Sequence, residues 1–192
     1  MKLRQEKKYT IRKAFTNSYE KLLNRKGFFL HHEGNVVNNI YFENDALDSY
    51  LGNVNGDNFR KKFRLRWYTG DPSFILEEKI KLASSGFKNR IKLSSNNIED
   101  AIAEVTRITN LSSTVGNRYS RRYYYRSGFR VTIDTDLVFY NPNSSTLKFY
   151  EKSIIEIKYD TEKLVGFNEI IAPYMQLGKF SKYVEGMERI CL

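Results

Sequence analysis

The sequence is short of the residues that build disulfide frameworks, metal sites and flexible linkers. Among its 192 residues there is one cysteine, Cys191, and only two histidines, the adjacent His31 and His32. A single cysteine excludes a disulfide framework and a cysteine-based zinc site, and two adjacent histidines exclude a metal site built from several. With only 3 prolines and 11 glycines, the chain is neither collagen-like nor dominated by linkers.

Long apolar segments are missing as well. No run of about 18 apolar residues occurs, so we predict no transmembrane segment. The N-terminal residues are basic and lack the apolar stretch of a secretory signal peptide. Together with the single cysteine, which suits a reducing compartment, these features indicate a cytoplasmic protein.

Positive charge and aromatic residues are what the sequence has in excess. The 32 Lys and Arg residues outnumber the 22 Asp and Glu residues, which gives a net charge of +10. Hydrophobic residues make up 41% of the chain and aromatic residues 15%, enough for a packed core in one domain. The charge predicts an anionic partner, which is a nucleic acid, a membrane surface or a polyanionic small molecule.

Most segments alternate between apolar and polar residues, which predicts β-strands. The predicted strands are Arg4–Ile11, Val37–Glu43, Phe59–Tyr68, Phe74–Leu82, Phe87–Leu93, Arg118–Tyr125, Phe129–Tyr140 and Leu147–Tyr159. Helical spacing predicts Arg12–Lys26, Ile98–Thr109 with Asn97 as its N-cap, and a segment Phe167–Leu177 that Pro173 interrupts. The chain is therefore expected to be α+β, with an antiparallel sheet arranged as a sandwich or as a closed barrel.

Cations occupy one face of several predicted strands. Phe59–Tyr68 carries a cation at every second position, namely Arg60, Lys62, Arg64 and Arg66. Neighbouring charges on such a face lie about 6.5–7 Å apart and repel by roughly 2.4 kcal/mol at an effective dielectric constant of about 20. A solvated face tolerates this repulsion, whereas an enclosed one needs a bound polyanion or interleaved carboxylates.

Two interpretations of this pattern remain open at the level of the residues alone. In the first, the cations lie on the solvated faces of an amphipathic sandwich. In the second, they line the interior of a barrel, where Arg and Lys side chains bind phosphate oxygens. The carboxylates of Glu77, Asp134 and Glu156 lie among the cations and offer the hard oxygen ligands that Mg²⁺ and Mn²⁺ prefer.

Other phosphate and catalytic motifs are lacking. The sequence has neither a glycine-rich P-loop nor the glycine pattern of dinucleotide-binding domains. The adjacent histidines form no Ser/His/Asp or Cys/His arrangement, and we expect them and Cys191 to be ordinary structural residues.

Several segments, taken in order along the chain, are similar to those of a known family. They are Arg4–Tyr9, Asn39–Glu43, Arg60–Tyr68, Leu76–Lys81, Tyr119–Tyr124, Arg130–Asp134, Ile155–Tyr159 and Ser181–Val184. The ordered set resembles the VTC domain, the polyphosphate polymerase branch of the triphosphate tunnel metalloenzyme (CYTH-like) superfamily. One departure is Glu43-Asn44, at a position where many relatives have an aspartate after Tyr-Phe.

The resemblance implies a single domain over residues 1–192, built as an antiparallel eight-stranded β-barrel, or triphosphate tunnel, with peripheral helices. It implies catalytic roles for Arg64, Arg66, Lys79, Arg121, Arg130 and Glu156. The implied substrate-binding residues are Lys8, Lys62, Lys81, Lys158 and Lys182. The implied metal ligands are Glu156, Glu6 and Glu77, of which the last two could instead hold neighbouring cations in place.

The resemblance also implies an activity, in which the γ-phosphoryl group of ATP is transferred to a growing polyphosphate chain with Mn²⁺ or Mg²⁺ as cofactor. Triphosphate hydrolysis and polyphosphate binding without catalysis are alternatives at the same site. A nucleic-acid-binding barrel is a third alternative, for which Tyr123, Tyr124 and Tyr125 could stack on bases. We expect no specific nucleic acid, because most aromatic residues alternate away from the cations. Recruitment by a membrane-associated partner stays open.

Overall fold

The computed structural model describes residues 4–71, 73–83, 85–160 and 164–192. Its strands are β1 (Arg4–Arg12), β2 (Phe29–Glu43), β3 (Phe59–Tyr68), β4 (Ile75–Leu82), β5 (Ser85–Lys92), β6 (Ser112–Arg126), β7 (Phe129–Tyr140), β8 (Leu147–Phe149), β9 (Lys152–Asp160) and β10 (Gln176–Leu177). Its helices are α1 (Thr16–Arg25), α2 (Asp48–Asn55), α3 (Ile98–Thr109), α4 (Leu164–Asn168) and α5 (Lys182–Ile190), and a 3-10 helix, Lys13–Phe15, precedes α1. Within these ranges, no helix combines the length and the hydrophobicity needed to cross a membrane.

Hydrogen bonds join the strands into one sheet. The strand order is β10-β1-β9-β7-β6-β2-β3-β4-β5, and β8 pairs with β7 outside this path. The pairings of β1 with β9, of β3 with β2 and β4, and of β4 with β5 are all antiparallel. The path formed by the described strands has ends at β10 and β5, so the sheet is not closed.

The chain divides into two compact units. The first unit comprises Met1–Asn35, Tyr119–Leu137 and Tyr150–Phe180, and the second comprises Val36–Arg118, Val138–Phe149 and Ser181–Leu192. Strands β2, β6 and β7 contribute residues to both units. Each unit has its own apolar core.

In the first unit, the apolar faces of β1, β7 and β9 pack against α1 and α4. Alternation along the strands brings Tyr9 of β1 opposite Ile155 of β9, and both are buried. Helix α1 adds Tyr19 and Leu23, which are fully buried because the helical spacing places them on its inner face. The chain leaves α1 at Gly27, whose φ of +76° is easily adopted by glycine, as the sequence predicts.

In the second unit, the apolar faces of β2, β3 and β4 pack against α3. The centre of this core is a row of register partners, Ile40, Leu65 and Leu76. Ala101 and Val105 of α3 pack onto the row and are fully buried. The helix begins where Oδ1 of Asn97 accepts a hydrogen bond from the Asp100 amide at 2.8 Å, which confirms the predicted N-cap.

Helices, and not a second sheet, therefore cover the apolar strand faces within each unit. Most charged residues of the same strands lie on the opposite faces, because successive side chains of a strand point to opposite sides. This arrangement contradicts the sandwich interpretation, in which two sheets would pack on each other.

The predicted fold class, an antiparallel sheet with a few peripheral helices, is confirmed. The described residues form ten strands and not eight, because the predicted strand Leu147–Tyr159 divides into β8 and β9 and because β10 is added. The helix predicted over Phe167–Leu177 is wrong, since α4 ends at Asn168 and β10 pairs with β1. Helices α2 and α5 are not predicted by the sequence pattern.

Candidate functional site

The second unit concentrates positive charge on one face of β3, β4 and β5. Register places Lys62, Lys79 and Lys88 in one row across the three strands. The charged residues that share this face, here called the second charged face, are Arg60, Lys62, Arg64, Arg66, Glu77, Lys79, Lys81, Lys88, Arg90 and Lys92. The face thus carries nine cations and one carboxylate.

Four cations of this face contact the carboxylate of Glu77. Nε of Arg64 donates to Oε2 at 2.6 Å, and Nη1 of Arg66 lies 3.8 Å from the same oxygen. Nε of Arg90 donates to Oε1 at 2.9 Å, and Nζ of Lys88 lies 3.6 Å from it. The Glu77 side chain is only 2% exposed, so its partners replace the water that a carboxylate needs. Glu77 therefore holds cations in fixed positions.

These contacts shift the pKa values of two groups on the face. Burial alone would raise the pKa of Glu77, but the charges of Arg64, Arg66 and Lys88 outweigh it and lower the pKa to about 2. Burial and the charge of Arg64 lower the pKa of Lys88 to about 8, although Glu77 opposes this change. Glu77 thus stays ionised at neutral pH, whereas the charge of Lys88 changes close to it.

Polar residues of β2 and β6 hold the arginines from the side. Nε of Arg66 donates to Oδ1 of Asn39 at 2.7 Å, and Nδ2 of Asn39 donates to Oδ1 of Asn117 at 2.8 Å. Tyr41 lies opposite Arg64 in the register of β2 and β3. Burial would raise the pKa of the Tyr41 phenol, but the charges of Arg64 and Arg66 lower it. All three polar residues are buried, so they fix the directions in which the arginines point.

Helix α5 begins beside the same face. Nζ of Lys62 donates to Oγ of Ser181, the N-cap residue of α5, at 3.3 Å. The same ammonium group lies 4.9 Å from the ring centroid of Tyr183, a cation–π contact. Lys182 stands between these two residues, and its charge contributes to the lowered pKa of Tyr41. The first turn of α5 therefore adds a cation to the edge of the second charged face.

The first unit has a charged face of a different kind. In the pairing of β1 with β9, Glu6 lies opposite Lys158 and Lys8 lies opposite Glu156. Nζ of Lys158 is 2.9 Å from Glu6 and 3.1 Å from Glu156. Nζ of Lys8 is 3.4 Å from Glu6 and 3.9 Å from Glu156. The two lysines and two glutamates form a four-membered ion-pair network.

Strands β6 and β7 continue this face. Arg121 donates from Nε to Oδ1 of Asp134 at 2.6 Å and from Nη2 to Oδ2 at 2.7 Å, which is a bidentate pair. Arg130 of β7 lies opposite Lys158. The first charged face is defined here as Glu6, Lys8, Arg121, Arg130, Asp134, Glu156 and Lys158, with four cations and three carboxylates.

The ion pairs keep the carboxylates of Glu6 and Glu156 ionised. Burial would raise the pKa of Glu156, but the charges of Lys158 and Lys8 lower it to about 2. Burial would lower the pKa of Lys158, but the charge of Glu156 raises it. Burial and the charge of Glu156 would raise the pKa of Glu6, yet Lys8 and Lys158 lower it.

The neighbouring carboxylates of Glu6 and Glu156 are the pair that fits a divalent cation best. Within the described ranges, no group of three or more His, Cys, Asp or Glu side chains could hold a metal alone. Mg²⁺ at phosphate sites commonly uses one or two carboxylates and completes its shell with substrate phosphates and water, a share that Glu6 and Glu156 match. Glu77 fits a metal less well, because four cations contact its two oxygens and it is the one carboxylate of the second charged face.

Every residue that the sequence predicts for the site lies in the described part of the chain. The first unit contains Glu6, Lys8, Arg121, Arg130, Glu156 and Lys158, and the second contains Lys62, Arg64, Arg66, Glu77, Lys79, Lys81 and Lys182. The prediction omits Lys88 and Arg90, although the alternation of charges in β5 marks both. It also omits Asn39 and Asn117, because buried polar residues leave no signal that separates them from their apolar neighbours.

Solved structures of low sequence identity share this fold. A candidate adenylate cyclase from Vibrio parahaemolyticus has a TM-score of 0.62 at 11% identity, over 97% of this chain and 98% of that chain. A candidate adenylate cyclase from Bacillus halodurans has a TM-score of 0.59 at 15% identity, over 96% of each chain. A candidate adenylyl cyclase from Hippeastrum, described as having a dominant triphosphatase activity, has a TM-score of 0.59 at 13% identity, over 98% of each chain.

The sequence was also compared with known protein families and with curated proteins. No curated protein matches it, but the family model for the VTC domain matches residues 3–191. This match and the fold support a phosphate-handling function. Because the match extends over nearly the whole sequence, the chain belongs to the VTC domain family.

Proposed function

We propose that the protein is a polyphosphate polymerase, which transfers the γ-phosphoryl group of ATP to a growing chain of inorganic polyphosphate. The observation that carries this proposal is the second charged face, with nine cations and one carboxylate on three neighbouring strands. The cations of such a face repel one another until a polyanion neutralises their charge. Membership of the VTC domain family supports a phosphate chain as that polyanion.

The transfer needs positioning and neutralisation of charge more than covalent catalysis. A terminal phosphate oxygen of the polyphosphate attacks the γ-phosphorus of ATP and forms the new P–O bond. The bond from the γ-phosphorus to the bridging β–γ oxygen breaks, and ADP leaves with the bonding electrons. The attacking oxygen is already ionised at neutral pH, so the reaction needs no general base.

The cations of the second charged face are proposed to bind the phosphate oxygens. Arg64 and Arg66 are held by Glu77 and Asn39, so they are oriented before the ligand arrives, which reduces the entropy cost of binding. Lys79 lies in the next row. The remainder of the phosphate chain is assigned to Lys62, which shares the row of Lys79, to Lys81 in the row beyond, and to Lys182 at the edge of the face.

The first charged face is proposed to carry the metal-dependent part of the reaction. Glu156 and Glu6 would hold Mn²⁺ or Mg²⁺, which when bound neutralises charge on phosphate oxygens. Lys8, Arg121 and Arg130 are assigned to the charged oxygens of the transferred group, and Lys158 to keeping both glutamates ionised and in place.

Two alternatives use the same residues. In triphosphate hydrolysis, water replaces the phosphate acceptor, an activity that the description of the Hippeastrum protein names. In a binding module, the polyphosphate is held without reaction. A nucleic-acid-binding role is less well supported, because Tyr124 belongs to the apolar core of the first unit and Tyr125 contacts Phe29 and His31.

The test is to incubate the purified protein with ATP and Mn²⁺ and to resolve the products by length. Polyphosphate chains support the polymerase, and free phosphate alone supports hydrolysis. The absence of both products supports a binding module. We expect Arg64→Ala to lower the yield at least about tenfold. Lys61→Ala is the matched control, because Lys61 pairs with Glu78 on the opposite face of β3 and β4. Equal losses in both variants would contradict the assignment of the second charged face.

A further inference from the structure

Glu43 ends β2 with a carboxylate that is almost completely buried, at 2% exposure. The hydroxyl of Tyr183 donates a hydrogen bond to its Oε1, and the amide of Ser49, in the first turn of α2, donates to Oε2 at 3.3 Å. One side chain therefore joins the end of β2 to the beginnings of α2 and α5. Helices α2 and α5 and this end of β2 belong to the second unit.

The ring of Tyr183 connects this junction to the second charged face. It is buried, lies 4.9 Å from Nζ of Lys62 and lies 5.0 Å from the ring of Tyr41 between centroids. Tyr41 is in turn opposite Arg64 in the register. A change at the Tyr183 hydroxyl therefore moves a ring that contacts Lys62 and Tyr41, both of which belong to or adjoin the second charged face.

The first turn of α5 depends on the same contacts. Ser181, its N-cap, accepts a hydrogen bond from Lys62, and Lys182 follows directly. A lysine at the N-terminal end of a helix is opposed by the helix dipole, so this turn needs an external contact to hold Lys182 where it is. The hydrogen bond from Tyr183 to Glu43 is such a contact, one residue along the helix.

We propose that Glu43 is a positioning residue, which acts through Tyr183 to place Lys182 on the second charged face for binding of a phosphate chain. The proposal rests on the proposed function and goes beyond it, because it gives a role to Glu43 and Tyr183, to which the proposed function assigns no phosphate. Its physical basis is the length of the side chain at position 43. Asp is one methylene shorter than Glu, so its carboxylate falls short of the Tyr183 hydroxyl. Gln has the same length and keeps one oxygen for the Tyr183 hydroxyl, and the bond that it gives up is the one from the Ser49 amide.

The experiment measures the affinity of the full chain for inorganic tripolyphosphate, together with the unfolding temperature. We expect Tyr183→Phe and Glu43→Asp each to weaken binding about fivefold, the worth of one hydrogen bond of average strength. Glu43→Gln is expected to bind like the unaltered protein. Tyr140→Phe removes a hydroxyl from another tyrosine of the second unit, packed on its α3 core, and should leave the affinity unchanged.

A double-mutant cycle tests whether the effect passes through Lys182. Lys182→Ala should weaken binding in the unaltered protein but cause little further loss in the Tyr183→Phe variant. Additive losses, or unchanged binding in Tyr183→Phe, would overturn the positioning role. Arg64→Ala separates this result from a failure of the proposed function. If Arg64→Ala also leaves the affinity unchanged, the phosphate-binding assignment itself is wrong.

Discussion

The two charged faces differ in how their charges are balanced. On the first, Lys158 lies 2.9 Å and 3.1 Å from two carboxylates, and Arg121 lies 2.6 Å from the third. On the second, Glu77 is the one carboxylate among nine cations. The first face is therefore nearly neutral by its own ion pairs, whereas the second remains strongly positive.

The proposed division of roles between the two faces rests on this difference. A face whose cations repel one another binds a polyanion with a gain in free energy from the repulsion that is relieved. A face whose cations are already paired gains less free energy when it binds an anion, but it offers ionised carboxylates to a metal ion. Most of the net charge of +10 is thus a local property of three strands.

The largest expected effect comes from removing a carboxylate of the first charged face. We expect Glu156→Gln to lower Mn²⁺-dependent turnover of ATP by about 100-fold or more, because the proposed metal ligand is lost. Tripolyphosphate affinity should change only slightly, because the second charged face is intact. Glu151→Gln, an exposed acid just before β9, is the matched control. Unchanged turnover in Glu156→Gln would contradict the assignment of Glu156 as a metal ligand.

The second effect concerns the carboxylate of the other face. Glu77→Gln leaves four cations without their shared partner, and we expect a loss of unfolding free energy on the order of 3 kcal/mol. Tripolyphosphate should restore much of this loss, because it supplies the missing negative charge. Chemical unfolding with and without tripolyphosphate measures both quantities.

Glu78→Gln is the control for this variant. Glu78 is the next residue on β4, and it pairs with Lys61 on the opposite face. If both substitutions cost the same stability, or if tripolyphosphate fails to rescue Glu77→Gln, the contrast between the faces is not electrostatic in origin.

Local patterns predict much of the fold. The predicted bounds are those of strands β3 and β7 and of helix α3. These elements are predictable because alternation, helical spacing and the Asn97 cap depend only on residues close together in the sequence. Helix α2 escapes prediction because Gly52 and its asparagine neighbours indicate a loop. In the structure, Asn44 accepts a hydrogen bond from the Asp48 amide at 3.1 Å, and Gly56 ends the helix with φ of +77°. The Asn44 hydrogen bond and the Gly56 C-cap offset the weak helix propensity of the segment.

The candidate site is predictable in its residue types but not in its pairings. Alternation identifies Arg64 and Glu77 as members of charged strand faces. That Glu77 meets cations from β3 and from β5 depends on the register of three strands, which no single segment contains. The link from Glu43 to Tyr183 joins residues 140 positions apart, and only the packing of α5 brings them together.

The third prediction concerns acid stability. The pKa values of Glu77 and Glu156 are lowered from 4.5 to about 2, so the unfolded chain binds protons more readily between these values. The stability that the two carboxylates contribute is therefore fully present above about pH 4.5 and is lost as the pH falls towards 2, on the order of 2 kcal/mol for each after screening by water. Unfolding measured from pH 2 to 6 tests this. The slope should be smaller in Glu77→Gln and in Glu156→Gln, and a slope equal to that of the unaltered protein would contradict the ion-pair origin of the shifts.

The smallest expected effect distinguishes one cation of the second charged face from its neighbours. Lys88, with a pKa lowered to about 8, loses its charge as the pH rises from 7 to 9, so tripolyphosphate affinity should fall by about threefold more than in a variant that keeps the charge. Lys88→Arg is that variant, because a guanidinium stays protonated throughout this range. Titration of the ligand itself affects both proteins equally and cancels in the comparison. Identical pH profiles would mean that Lys88 does not contact the anion, and the binding surface would then end at β4 instead of reaching β5.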